Sequence, residues 1–332
     1  MMRHRTTAIA LLLAAALASA VIAACGGSSS GSDNSLFPDA PAGIQGDVVP
    51  SITNQALAVG DNRVTIQLAD KNAIPVLNAS VRLRFFDLNG KQPRPHGEAN
   101  ARFIPIELSY VDEANNNTTT VLGGDGAYMA HANFDVPGAW GVLITVTRDG
   151  KSDPPLPFRF NVLEKSLEPA IGDPAPPSRQ ATLATAASIE DIDTSSPPRP
   201  QMHDVTIADA LKTGRPLVIA FATPAFCFSR TCGPVMDTVM DPLYAKYKDQ
   251  ATFIHIEPYA LPQMRTANQQ EFVPAMLDWR LNTEPWIFVV DRAGKIADKF
   301  ESIVALDEVE SALVRAIDAP PGVAAPAPTV TP

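Results

Sequence analysis

The stretch Leu217-Val218-Ile219-Ala220-Phe221-Ala222-Thr223, running into Cys227-Phe228-Ser229-Arg230-Thr231-Cys232-Gly233-Pro234, decides the reading of the chain. A short unbroken apolar run bounded by turn-prone residues reads as a strand buried on both faces. Pro234 suits the first turn of a helix, where its missing N–H would have no partner anyway. The cysteines therefore fall in the connection between a buried strand and a helix. Working outward, the pattern predicts a strand over Pro216–Phe221, a helix from about Pro234 to Lys248, and a strand over Thr252–Ile256. A helix around Gln269–Trp279, strands over Trp286–Val290 and Lys295–Phe300, and a helix over Leu306–Ile317 follow. Alternation of this kind implies an α/β layer structure. Asp291-Arg292-Ala293-Gly294 is a hairpin turn, so the expected sheet is mixed, parallel first and antiparallel last.

The thiolate is the reactive form of cysteine. A sulfur at a helix N-terminus gains from unpaired backbone N–H groups and the helix dipole. Thr283-Glu284-Pro285-Trp286 lies further along, just before a strand. Together these segments resemble a thioredoxin-like domain over roughly residues 201–318. In that family a cis proline faces the cysteines, and Pro285 is the matching position. The resemblance implies Cys227 and Cys232 as the reacting pair, and Pro285 with Glu284 and Trp286 as a substrate groove. Arg230 and Gly233 are the residues expected to favour the thiolate. A cis bond at Glu284–Pro285 would leave a free carbonyl and a backbone edge for an extended substrate.

The motif departs from the family pattern, which spaces its cysteines by two residues; here four intervene. On a continuous helix five positions rotate about 500°, which puts the two sulfurs ~140° apart. Cys227 must then lie in the loop and Cys232 at the helix start, close enough to bond if the Cα atoms come within about 7 Å. Cys232-Gly233-Pro234-Val235 copies the family's Cys-Gly-Pro-Cys with valine in place of the second cysteine, so the sequence does not decide which sulfur attacks.

Upstream, residues 48–164 alternate apolar and polar with period two, as in Val64, Ile66, Leu68; Val81, Leu83, Phe85; and Trp140, Val142, Ile144, Val146. Turn chemistry separates them at Asp87-Leu88-Asn89-Gly90, Gly123-Gly124-Asp125-Gly126 and Pro137-Gly138. The stretch 126–141 is similar to the paired final strands of immunoglobulin-like domains of bacterial envelope proteins. The expected fold class is thus two domains: an all-β immunoglobulin-like sandwich over 48–164, then an α/β thioredoxin-like fold over 201–318, a mixed sheet flanked by helices. Residues 165–200 are rich in proline and read as a linker, and 319–332 as a disordered Ala/Pro tail.

The N-terminus has a basic start (Arg3, His4, Arg5), an apolar run, and Ile22-Ala23-Ala24-Cys25. This resembles a bacterial lipoprotein signal over 1–24, in which Cys25 becomes the lipidated first residue, followed by a flexible Gly/Ser tether over 25–47. A transmembrane anchor or a plain secretory signal are the other readings; the apolar stretch is just short of the ~20 residues a span needs. The expected location is the outer side of the cell membrane, lipid-anchored, where disulfides persist.

The 332 residues carry 26 Lys and Arg against 36 Asp and Glu, so nucleic acid is not an expected partner. The expected activity is thiol–disulfide exchange with protein thiols or disulfides of the cell envelope. The alternative is a non-enzymatic binding or assembly lipoprotein whose disulfide is structural, with peroxide reduction or metal handling behind both. No zinc-type spacing occurs, and no metal or cofactor is expected. His255, alternating with apolar neighbours, reads as a structural histidine in a strand.

Overall fold

Period-two alternation builds eight strands in the first half of the chain: β1 (Val48–Ile52), β2 (Gly60–Asp70), β3 (Ser80–Asp87), β4 (Arg94–Asp112), β5 (Asn117–Phe134), β6 (Gly138–Arg148), β7 (Lys151–Ser152) and β8 (Leu156–Val162). The structure, a computed structural model, describes residues 47–328 except 55–56, 113–116, 228 and 268, and the side chains of 109–122 are not described. Cys25, the signal and nearly all of the tether lie outside the described residues.

The strands form one antiparallel sheet in the order β1-β2-β5-β4-β3-β6-β7, with β8 also pairing to β6. Val64, Ile66 and Leu68 of β2, Val81, Leu83 and Phe85 of β3, and Trp140, Val142, Ile144 and Val146 of β6 meet in one core. The expected immunoglobulin-like sandwich of two sheets is corrected here to a single sheet curled into a half-barrel. The reason lies in β4, which is 19 residues long. Its residues 94–101 pair with β3 and residues 102–112 pair with β5, so the sheet passes around the core without a break. Alternation reports which face a residue takes, not which strands share a sheet.

Gly123-Gly124-Asp125-Gly126 is also not a turn. It lies inside the 18-residue β5, opposite a bulge between Pro105 and Glu107 of β4. A Cβ on Gly126 would stand 2.6 Å from the Ile104 carbonyl oxygen, so glycine is what lets the two strands close at this point.

The second sheet is small: β9 (Leu217–Phe221), β10 (Thr252–Ile256), β11 (Trp286–Val290) and β12 (Ile296–Glu301), in the order β10-β9-β11-β12. β9 and β10 are parallel, and β11 runs antiparallel to both β9 and β12. Val218 and Ala220 face one apolar cluster while Leu217, Ile219 and Phe221 face another, as a strand buried on both sides requires.

The helical segments are α1 (Ile207–Leu211), α2 (Cys232–Val235), α3 (Asp241–Tyr247), α4 (Leu261–Ala267), α5 (Pro274–Asp278) and α6 (Leu306–Asp318). Only α6, with 13 residues, exceeds two turns. The chain is mostly β, and the helical flanks typical of the thioredoxin fold are not evident, so that part of the expected fold class is corrected as well. Prolines account for two of the interruptions. The run after Cys232 is interrupted by a π-helical turn, Met236–Met240, just before Pro242, which has no N–H to continue the ladder. Pro274 opens α5 and shortens the helix expected from Gln269.

The two sheets are joined by side chains. Ile303, after β12, packs on Ile104, Ile106, Ala127 and Met129 of the first sheet. Arg63 makes a two-pronged pair with Glu308 at 2.7 and 3.0 Å and donates to the Ile303 carbonyl at 2.7 Å. Arg102 pairs with Asp307 at 2.7 Å on the exposed rim. Residues 165–200 lie against the second sheet, with Pro174 bridging to Lys295 and Ala175 buried in its core. Among the described residues, no helix is long and apolar enough to cross a membrane.

Candidate functional site

β9 ends at Phe221 and α2 starts at Cys232, so the loop between them leaves the C-terminal end of an inner strand, held between β10 and β11. Cys227 and Cys232 are disulfide-bonded with Cα atoms 6.0 Å apart. Cys232 is fully buried at the helix start, whereas Cys227 is half-buried in the loop. The Cys232 N–H donates to Cys227 Sγ at 3.3 Å. Ser229 Oγ lies 3.2 Å from the same sulfur and 2.7 Å from Thr231 Oγ1. The outer sulfur is thus surrounded by donors that would also face a thiolate.

Arg230 is exposed, with a left-handed backbone (φ 59°), and Gly233 is half-buried in the first turn of α2. The Glu284–Pro285 peptide is cis. The Pro285 carbonyl is not free, because it accepts the Ser302 N–H at 2.9 Å. Trp286 is buried in the core, stacked on Phe288, with its Nε1–H donating to Thr283 Oγ1 at 3.0 Å. Of the expected groove residues, Glu284 lines a pocket of about 140 Å³ together with Thr283, Ser229 and Thr231. Thr53 and Gln67 of the first sheet close its other side. Burial holds the Glu284 carboxyl above its ordinary range, although Tyr259 Oη–H donates to it at 2.9 Å.

A buried polar network lies beneath the loop. Glu257 accepts from the Thr194 N–H at 2.7 Å and the Thr194 hydroxyl at 2.6 Å, and Thr194 Oγ1 accepts the Ala225 N–H at 3.1 Å. Ala225 is two residues before Cys227, so this chain of bonds reaches the cysteine loop. Burial pushes the Glu257 carboxyl up to about 7, against the hydrogen bonds from Thr194. Arg199 pairs with Asp237 at 2.5 Å and Asp241 at 2.7 Å, tying residues 165–200 to the helical run after Cys232. His255 is buried on β10, its Nε2 2.9 Å from the Ala222 carbonyl, and burial pushes its pKa down to about 4.

Thr231, Thr194 and Glu257 are site residues that the sequence reading did not single out. Glu257 directly follows the apolar strand β10, in the run Phe253-Ile254-His255-Ile256-Glu257, where a charged residue continuing a buried run is the available signal. Thr194 sits in the proline-rich segment, whose composition marks it only as a connection.

No protein-family model matches the chain, and no curated protein matches it either. Among solved structures, a DUF4426 family protein from Pseudomonas aeruginosa PAO1 is similar at 16% identity and a TM-score of 0.23, over 37% of this chain and 96% of that one. MtrC from Shewanella baltica OS185 is similar at 15% identity and a TM-score of 0.23, over 36% of this chain and 22% of that one.

Proposed function

We propose that the chain performs thiol–disulfide exchange on protein thiols or disulfides through Cys227 and Cys232, on the outer side of a membrane to which a lipid on Cys25 anchors it. The observation that carries this reading is the asymmetry of the pair: one sulfur half-exposed and met by an N–H and a hydroxyl, the other fully buried. Reactive cysteines need access and a polar surround, which only Cys227 has.

In the reducing direction both cysteines start as thiols. The Cys227 thiolate attacks one sulfur of a substrate disulfide, forming a mixed disulfide and releasing one substrate thiolate. Cys232, having lost its proton, then attacks the Cys227 sulfur and releases the second substrate thiolate, leaving the Cys227–Cys232 bond. Oxidation of a substrate dithiol runs the same steps backward. Glu257, linked through Thr194 to the Ala225 N–H, anchors the start of the cysteine loop, and the pocket beside Glu284 is where a short substrate segment would lie.

The second reading is a non-enzymatic binding or assembly lipoprotein with a structural bridge, and the complete burial of Cys232 is the observation in its favour. The reduction potential separates the two. Exchange requires a reversible couple above about −300 mV against glutathione or dithiothreitol. A bond that resists both until the chain unfolds refutes exchange and leaves the structural bridge.

A further inference from the structure

Two segments distant in sequence, residues 193–203 and β10, deliver Asp193, His203 and His255 to one spot, all three buried. Their ligand-type atoms lie within 4.8 Å of one another. Asp193 Oδ2 is 3.3 Å from His203 Nε2, and Asp193 Oδ1 is 3.6 Å from His255 Nδ1. A good N–H···O bond spans about 2.7–3.2 Å, so both contacts are long for hydrogen bonds. Nitrogen and oxygen arms of ~2.0–2.2 Å at tetrahedral angles place ligand atoms roughly 3.3–3.6 Å apart; each imidazole stands at such a distance from one carboxylate oxygen, and one ligand atom from each of the three residues falls within 4.8 Å of the others.

Orientation points the same way. The Ala222 carbonyl can only accept, so His255 Nε2 carries the hydrogen of that 2.9 Å bond. In the neutral ring Nδ1 then turns a lone pair toward a carboxylate oxygen. Neither His255 Nδ1 nor His203 Nε2 has a hydrogen-bond partner among the described residues. At His255 a nitrogen lone pair then faces a carboxylate oxygen away from water, an arrangement that a cation between them would relieve. The carboxylate itself is oriented from behind by the Ser195 N–H at 2.7 Å and the Arg199 N–H at 2.6 Å. A ring N–H on a backbone carbonyl and a carboxylate held by outer donors are the supports that metal ligands commonly have.

We infer that Asp193, His203 and His255 form a binding site for one divalent transition-metal ion of the zinc type, which pins residues 193–203 to β10. Two imidazoles and one carboxylate suit Zn²⁺. The three side chains leave a fourth coordination position, and because all three are buried in the folded chain, binding energy appears as folding energy.

The test uses the full exported chain without a histidine tag and with its disulfide oxidised, so that the cysteines cannot ligate. The chain is refolded with and without Zn²⁺ and desalted, and bound metal and thermal unfolding are measured. The expected result is one Zn²⁺ retained per chain and a higher melting temperature. His203→Gln with His255→Gln should lose the ion, and His96→Gln with His131→Gln should keep it. Because the first double variant can fail to fold, Co²⁺ is also added to the unaltered chain. Tetrahedral visible bands that equimolar Zn²⁺ abolishes are expected. No retained zinc, zinc retained unchanged by the folded first double variant, or the spectrum of hexaaqua Co²⁺ would overturn the site.

Discussion

The backbone N–H of Cys232 points at the sulfur of Cys227, 3.3 Å away, so the buried cysteine's own amide would face charge formed on its half-buried partner once the bond is reduced. On the proposed exchange reading, that relation makes Cys227 the attacking and Cys232 the resolving sulfur. In the reduced chain, Cys232→Ser should react with a small aromatic disulfide about tenfold faster than Cys227→Ser, since the remaining thiol is accessible in the first and buried in the second. Stopped-flow release of the aromatic thiolate measures it. Equal rates would remove the assignment.

Ser229 Oγ is the other donor beside Cys227. Removing it in Ser229→Ala should raise the pH midpoint of Cys227 thiolate formation by roughly one pH unit, the equivalent of losing ~1.4 kcal/mol of hydrogen bonding to the charged form. Iodoacetamide alkylation rate against pH reads the midpoint directly, and an unchanged curve would show that the hydroxyl does not serve the thiolate.

Glu284 predicts a pH dependence whose sign follows from burial. Its folded-state carboxyl titrates above its ordinary value, so the protonated form is the one that favours folding. That contribution is complete below the unfolded carboxyl range of about 4.3 and is lost as pH rises through the folded value. Glu284→Gln should therefore match the parent chain in urea midpoint at low pH and exceed it near neutrality. A gain that is constant across pH would assign the effect to packing instead.

Arg63 and Arg102 both cross between the sheets, yet in different surroundings. The Arg63 and Glu308 side chains are 9% and 11% exposed, whereas Arg102 and Asp307 are 52% and 61% exposed. Arg63→Ala leaves a carboxylate and the Ile303 carbonyl poorly solvated and should cost about 3 kcal/mol. Arg102→Ala should cost less than about 1 kcal/mol. Urea unfolding of the two variants side by side gives the comparison, and equal costs would mean that the Arg63 pair is open to water.

Much of the second sheet was legible in the sequence. The run Leu217–Phe221, the strand over Thr252–Ile256 and the hairpin at Asp291–Gly294 involve local pattern and turn chemistry, and the observed strands fall there. The placement of Cys227 in the loop and Cys232 at the helix start also followed from local geometry alone, because five helical positions cannot bring two sulfurs together. What the sequence could not decide depended on partners far along the chain. Alternation assigned Val64, Leu83 and Trp140 to a core but could not say that β4 passes from β3 to β5 and makes one curled sheet of two. Helix lengths were overestimated where proline and a π-helical turn divided the run after Cys232. Asp193, His203 and His255 are individually unremarkable in sequence, and only the packing of residues 165–206 against β10 brings them within reach of one ion. Local preference acts over a few residues and is written in the sequence; the convergence of side chains separated by tens of residues is set by which buried surfaces fit together, and only the tertiary structure decides that.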